Sequence, residues 1–382
     1  IVKASLTAKK LKVNAIAGSG KEQPVWCKVV TPDGFKEIGS LSEGDAIFTA
    51  KGCLEYVDGV FPQGVKDYYK ITFRDGSFTH CGLEHLWLVS SPLWRTGNKV
   101  VTTKYLIEKG VLNNSGNMKY QIPLCEPVQF PRQEFYTHPY LMGLLLGDGY
   151  IPNDGVFLSV ASIDIKIMEN LQQYLPKGFS FSSRKTSENC YQLRFFNSER
   201  ENRIPAENTL LEDLWHYKLN NVKASCKFIP EEYLMGSVDQ RKHLLRGLMD
   251  TDGCCSGNRT SFSTSSAILA QDVKTLVQSL GCTAIVRESS RSNNGKIEYT
   301  VNVKTTFCPF LTKRKADKWF PSKKNPPSRY IKSIEKVGEC EQVCISVSSD
   351  DNLYLTDDYI ITHNTSTLAM IAQANIQPSL YI

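Results

Sequence analysis

Two periods of hydrophobic positions run through this chain. Strict alternation marks "GVFLSVAS" at 155–162, "YQLRFFNS" at 191–198, "RTSFSTSS" at 259–266 and "KIEYTVNVKT" at 296–305, so four strands are expected there. "VWCKVV" at 25–30 and "QVCISV" at 342–347 also read as strands. Two longer apolar stretches, "LMGLLLGDG" at 141–149 and "LRGLMDTDG" at 245–253, read as helices and are copies of one another. In each, a small residue (Gly143, Gly247) allows close helix approach, and an acid (Asp148, Asp252) stands just before a glycine that can stop the helix. No stretch of eighteen apolar residues exists, so no membrane span is expected.

The two ends of the chain belong together. "AIAGSGK" at 15–21 fits the first seven positions of a phosphate-binding loop except that Ala15 replaces the usual first glycine, with Gly18 and Gly20 freeing backbone N–H groups and Lys21 reaching outer phosphates. Such a loop requires Ser or Thr next, then a helix. Instead Glu22, Gln23 and the helix-breaking Pro24 follow. Joining Lys21 to Thr365 restores everything missing: "LKVNAIAGSGKTSTLAMIAQA" is a strand, a complete loop, the magnesium-side Thr365 and helical apolar spacing. Residues 1–21 and 365–382 therefore read as one nucleotide-binding protein interrupted by 22–364. The joined "AGSGKTSTL" resembles superfamily 1 helicases.

The insert ends in His363-Asn364. An asparagine amide can attack its own backbone carbonyl and cleave the chain after it, and a neighbouring histidine can polarise that carbonyl. The hydroxyl of Thr365 can carry an acyl group as an ester. These residues make the insert resemble an intein. "TPDGFKEIGSLSEGD" at 31–45 looks like the first splicing motif, and counting back from Thr31 by the family spacing gives Glu22. "GLEHLW" at 82–87 resembles the second motif, with His85 as the residue that activates the Lys21–Glu22 junction. "EQVCISVSSDDNLYLTDDYIITHN" at 341–364 resembles the two terminal strands.

Most inteins begin with Cys or Ser, and Glu22 is neither. Cys27 is excluded as a substitute, because cleavage before it would leave "EQPVW" inside the restored loop. A smaller class, class 3, carries a Trp, Cys and Thr triplet, matched here by Trp87, Cys344 and Thr365. The resemblance implies that Cys344 attacks the Lys21–Glu22 carbonyl directly, that the acyl chain passes to Thr365, and that Asn364 cyclises. His85, at an ordinary imidazole pKa, is expected to protonate the leaving nitrogen, and Trp87 to pack nearby. Asn352 stands where many inteins have a further histidine.

The repeated helices resemble LAGLIDADG homing endonucleases. That resemblance implies Mg2+ held by Asp148 and Asp252, hydrolysis of double-stranded DNA at a homing site, and saddle-shaped sheets over the major groove. Splicing itself needs no cofactor. "CKFIPEEYL" at 226–234 resembles a Lys-x-x-Pro motif of intein-borne members, making Lys227 a further catalytic candidate. Arg194, Arg259 and Lys304 are candidate DNA contacts, with Lys304 a possible second catalytic lysine.

Composition adds little except at one place. Apolar content of 41% and charged content of 22% are those of ordinary globular proteins, and the cysteines lack metal-like spacing. Reduced thiols and the lack of a signal-like apolar core lead to the expectation of a cytoplasmic monomer. The segment 313–329, with Lys313, Arg314, Lys315, Lys318, Lys323, Lys324 and Arg329 against Asp317, matches the whole chain's excess of +6. It would extend the DNA footprint or form a return linker.

The fold class expected is multidomain: an all-β Hint (horseshoe) splicing domain from 22–125 and 330–364, with an inserted α/β endonuclease of two pseudosymmetric halves at 126–329. Two alternatives remain at this point. One is a nucleotide-binding helicase fragment with a DNA-binding insertion and no splicing; the other is an intein whose endonuclease no longer cuts.

Overall fold

The computed structural model describes residues 21–94, 97–198, 208–257, 259–289, 297–321 and 326–364. Gly18, Gly20 and Thr365 lie outside these. The chain divides into two compact units, one of 130–327 and one of the residues on either side.

The first unit opens with β1 (Gln23–Pro24), β2 (Lys28–Thr31), β3 (Gly34–Glu37), β4 (Ala46–Phe48) and the long β5 (Leu54–Phe73). It continues through β6 (Phe78–Gly82), β7 (Leu86–Val89), β8 (Lys99–Thr102), a short helix α1 (Thr103–Lys109) and β9 (Gln121–Ile122). The chain then leaves for the second unit.

There α2 (Pro139–Asp148) leads into β10 (Gly149–Tyr150), β11 (Val156–Ala161), β12 (Phe179–Ser187) and β13 (Cys190–Asn197). The second copy repeats this order, with α3 (Val238–Asp252), β14 (Gly253–Ser256), β15 (Arg259–Thr264), helix α4 (Ala267–Ser279), β16 (Thr283–Ser289) and β17 (Glu298–Lys304). Each copy forms one four-stranded antiparallel sheet, ordered β10-β11-β13-β12 and β14-β15-β17-β16. The four strands expected from alternation are β11, β13, β15 and β17. One face of each is core (Leu158, Leu193, Phe262, Val301) and the other is mostly polar, with Phe157 and Phe196 among its side chains.

The chain returns as β18 (Arg329–Val347), β19 (Leu353–Thr356) and β20 (Ile360–His363). β18 runs antiparallel to β5 over almost its whole length, in a sheet ordered β1-β18-β5-β4 that also takes β6 and β9. A second sheet is ordered β3-β2-β19-β20-β7-β8. Thus β1 and β18, and likewise β7 and β20, are neighbours despite their distance in sequence. Cys27, Val29, Ile47, Val343 and Ile345 fill one core of this unit, and Phe73, Trp87, Leu106 and Ile360 another.

Two expectations change here. Residues 126–129 lie with the first unit, because Glu126 N donates to Ala50 O (2.9 Å) and Gln129 N to Gly52 O (2.8 Å). Arg329 is not part of a basic surface. It is buried, with Nε on Asp75 (3.0 Å) and its other nitrogens on the carbonyls of Tyr359 and Asp358. Gly149 and Gly253 stop their helices as expected, in extended backbone. What requires glycine is space: a Cβ would lie 2.3 Å from Leu145 O in the first copy and 2.2 Å from Met249 O in the second.

Candidate functional sites

Cys344 sits where β18 changes character. Upstream the strand is partly exposed, but from Gln342 to Val347 every residue is buried, so both faces are covered. Burial pushes the Cys344 thiol up to about 12, opposed in part by the Lys21 ammonium. Its Sγ donates to Asn364 Oδ1 at 3.5 Å. Asn364 is buried, and its backbone N donates to Asn352 O at 2.8 Å. Asn352 adopts positive φ (56°), which an asparagine tolerates, and so meets the insert's last residue through its carbonyl.

The residues read from sequence as the other junction precede and form β1, which pairs with β18. Gln23 is fully buried: Tyr354 OH donates to its Oε1 (2.7 Å), and its Nε2 donates to His80 O (3.1 Å) and Thr356 Oγ1 (3.3 Å). Glu22 O accepts from Gly82 N at 2.9 Å. One residue earlier, Lys21 O lies 3.0 Å from His85 Nδ1.

This contact fixes the state of His85. A carbonyl only accepts, so Nδ1 carries the hydrogen, and Nε2 accepts from the Thr362 hydroxyl. Burial lowers the His85 pKa to about 4, so the ring is neutral near pH 7. The expectation of an ordinary pKa and of proton delivery to the leaving nitrogen is therefore corrected. His85 is a neutral donor aimed at the carbonyl oxygen, the arrangement that stabilises an oxyanion. Trp87 supports it: their rings meet edge to face at 5.1 Å, and Trp87 Nε1 donates to Thr103 Oγ1 (3.0 Å). His363, paired in register with Leu86, has a buried Nδ1 with no hydrogen-bond partner among the described residues. Cys27 lies in core, its Sγ on His80 O at 3.5 Å.

In the second unit α2 and α3 pack at their glycines. A Cβ on Gly143 would lie 2.3 Å from Leu244 O, one on Gly247 2.3 Å from Tyr140 O, and the two Cα atoms would be 2.9 Å from these added atoms. Both helices end in their acids, and Asp252 Oδ2 would stand 3.2 Å from a Cβ on Gly147. Burial, then the neighbouring Asp148, raises Asp252 to about 7; Asp148 is raised too, by burial first. Two acids that resist ionising side by side fit a divalent cation. No group of three or more His, Cys, Asp or Glu side chains suits a metal among the described residues, so other ligands would be backbone, water or phosphate oxygens. The acids open onto a cleft also lined by Lys227, Ser263, Thr264 and Glu298.

Each helix end is closed by a lysine. Lys227 Nζ donates to the carbonyls of Leu145 (3.1 Å), Gly147 (2.8 Å) and Gly149 (2.9 Å). Lys315 Nζ does the same to Met249 (3.0 Å), Asp250 (2.6 Å) and Thr251 (3.0 Å). A cation suits a helix C-terminus, whose last carbonyls have no partners within the helix. Lys315, read from sequence as a DNA contact, is thus the buried counterpart of Lys227, the role considered for Lys304. Arg314 is likewise committed, with Nε and Nη2 on the carboxylate of Asp164 (2.8 and 2.6 Å). Lys313 is exposed. Arg194, Arg259 and Lys304 lie on the polar faces of β13, β15 and β17, with Arg194 also over the Phe157 ring at 5.8 Å.

The LAGLIDADG-like domain family matches residues 239–311, which begin in α3 and run past β17. The curated relatives are replicative DNA helicases named DnaB. That of Mycobacterium intracellulare is 25% identical over 94% of this chain and 61% of its own length, and that of a Nostoc strain is 24% identical over 77% and 32%. The chain thus spans about three-fifths of the first relative and a third of the second. Among solved structures, the chain is similar to the MchDnaB-1 intein (10% identity, 90% of this chain and 99% of that one, TM-score 0.29). It is also similar to a variant of the gp41-1 intein (13%, 90% and 100%, 0.27) and to I-DmoI in complex with DNA and Mn (16%, 44% and 89%, 0.32). No helix among the described residues is long and apolar enough to cross a membrane.

Proposed function

We propose that the chain is a self-splicing intein that excises residues 22–364, joins Lys21 to Thr365, and carries a DNA-cleaving endonuclease around its LAGLIDADG-like domain. One observation carries the splicing reading: the carbonyl of Lys21 and the side chain of Asn364, from opposite ends of the insert, converge on His85 and Cys344.

The chemistry follows from that convergence. The Cys344 sulfur adds to the Lys21 carbonyl while the His85 Nδ1–H stabilises the developing oxyanion; the peptide to Glu22 breaks and a thioester remains. Thr365 takes the acyl chain as an ester. The Asn364 amide nitrogen then closes on its own carbonyl carbon, breaking the peptide to Thr365, whose freed amine displaces the ester. Holding the groups together supplies much of the barrier reduction, since alignment of this kind is worth roughly 7–11 kcal/mol. The restored loop fits a host helicase of the replicative kind, with Gly18, Gly20, Lys21 and Thr365 around a nucleotide phosphate.

For the second activity, Asp148 and Asp252 would hold Mg2+, which when bound polarises a phosphodiester and activates water. Lys227 and Lys315 keep the two helix ends in place beside it. Arg194, Arg259, Lys304 and Lys313 are the proposed contacts to double-stranded DNA. A cytoplasmic monomer is the state proposed for this activity.

Intact mass spectrometry of the expressed chain tests splicing: 1–21 bonded to 365–382, and free 22–364, are expected from wild type and are both lost in Cys344→Ala. Wild type that stays whole across pH and temperature would overturn the reading. Linearisation of a Mg2+-supplemented plasmid carrying the uninterrupted codons for "AGSGKTSTL" tests the endonuclease.

A further inference from the structure

The proposed splicing chemistry leaves one buried charged group unused. Glu22 contributes the nitrogen of the bond to be broken, and its side chain is 5% exposed. Its Oε1 is 3.6 Å from Lys66 Nζ; its Oε2 is buried with no hydrogen-bond partner among the described residues. An unsatisfied buried carboxylate oxygen is costly, so its retention calls for a reason.

The sheet register says on which face that side chain lies. β1 pairs with β18 as Gln23 opposite Val343 and Pro24 opposite Gln342. Continued by one residue, this antiparallel register sets Glu22 opposite Cys344, and opposed residues direct their side chains to the same face of a sheet. Gly82 makes room for this. A Cβ there would lie 2.6 Å from Glu22 Oε1 and 2.8 Å from its Cγ, so any larger residue would displace the carboxylate.

We propose that Glu22 is the proton acceptor for Cys344: its carboxylate takes the thiol proton as the sulfur attacks the Lys21 carbonyl, then returns that proton to its own backbone nitrogen as the peptide breaks. This rests on the splicing reading. The step balances without any outside reactant. An S–C bond forms, the Lys21–Glu22 C–N bond breaks, and the proton lost by sulfur ends on the freed amine. The residue that replaces the usual first nucleophile thereby becomes the base for a nucleophile elsewhere in the chain. The thiol needs such a base, because burial holds it largely protonated at neutral pH. His85 cannot serve, since its Nδ1 carries a hydrogen and its Nε2 is occupied by Thr362. The other titratable groups facing the pair are Lys66 of β5, Cys81 of β6, Tyr354 of β19 and Lys21.

The test uses the full chain carrying Asn364→Ala and Thr365→Ala, so that the acyl group stops on Cys344 and hydroxylamine releases 1–21. Release is timed by mass spectrometry from pH 6 to 9 in this parent and with Glu22→Gln or Glu22→Asp added. General-base assistance is worth about 10²–10⁴-fold, so Glu22→Gln should slow release at pH 7 by about 100-fold or more and recover about tenfold per pH unit as hydroxide substitutes. Glu22→Asp, which keeps a carboxylate, should be intermediate and retain the parent's pH profile, and it decides the matter where Gln perturbs folding. Glu22→Gln released at the parent's rate, or slowed with the parent's profile intact, would overturn the role of Glu22 and leave splicing standing. No release from the parent, with Cys344 intact, would instead overturn the splicing reading.

Discussion

At the scale of single residues, the proposed splicing centre depends on one imidazole held neutral and in one tautomer. The Lys21 carbonyl fixes the tautomer and Thr362 holds the ring through Nε2, so Thr362→Val should loosen the alignment of the Nδ1 hydrogen on that carbonyl. The loss of one such hydrogen bond, about 1 kcal/mol, predicts an approximately five- to tenfold slower first step, read as hydroxylamine-released 1–21. Removing the donor outright with His85→Ala should cost about 10²–10³-fold in the same assay. In the second unit, Asp148→Asn and Asp252→Asn should each abolish Mg2+-dependent DNA cleavage while leaving gel-shift binding within a few-fold. Retained cleavage in both would remove these acids from the metal site.

At the scale of elements, α2 and α3 can touch only because Gly143 and Gly247 lack side chains. Gly143→Val would drive methyl groups into Leu244 O, already 2.3 Å from a Cβ. Overpacking of this kind costs about 1–3 kcal/mol or more, so a calorimetric scan should show a lowered transition for this unit. The start of α2 titrates. His138 Nδ1 accepts from Tyr140 N (3.1 Å) and caps the helix, which requires that nitrogen to be bare. Burial, then His243, then Arg132 lower its pKa to about 4, against an opposing pull from Asp239. Because the folded value lies below the unfolded 6.5, this contribution is full above pH 6.5 and is lost as pH falls towards 4. His138→Asn, a cap that does not titrate, should therefore gain melting temperature relative to wild type on going from pH 7 to pH 5. A pH-independent difference would refute the assignment.

At the scale of the whole molecule, the chain's two units are separable in principle because the first closes on itself around the exit and return points. Gln129 N on Gly52 O and Arg329 on Asp75 tie both points into the first unit. Replacing 130–327 by a short Gly/Ser linker should accordingly preserve splicing to within about tenfold, since closing a loop of different length changes the free energy only slowly. Mass spectrometry of the joined peptide checks it.

How much of this could be read without a structure differs by kind of feature. The buried cluster of His85, Cys344 and Asn364 and the two acidic helices were legible because each is a local pattern: a few residue types at short spacing, or a period of two or about 3.6. The strands of the second unit were legible for the same reason. Lys315, Arg314 and Arg329 were misread because a basic run looks alike in sequence whether its members meet solvent, a helix end or a buried carboxylate. Local pattern thus determined which side chains are candidates for the proposed chemistry. Only the tertiary structure decided which groups lie together: that β1 pairs with β18 next to Cys344, that the Lys21 carbonyl and Thr362 hold the two nitrogens of His85, and that two lysines far apart in sequence close two matching helices. Cross-strand register and burial arise from packing between distant segments, and no spacing within one segment encodes them.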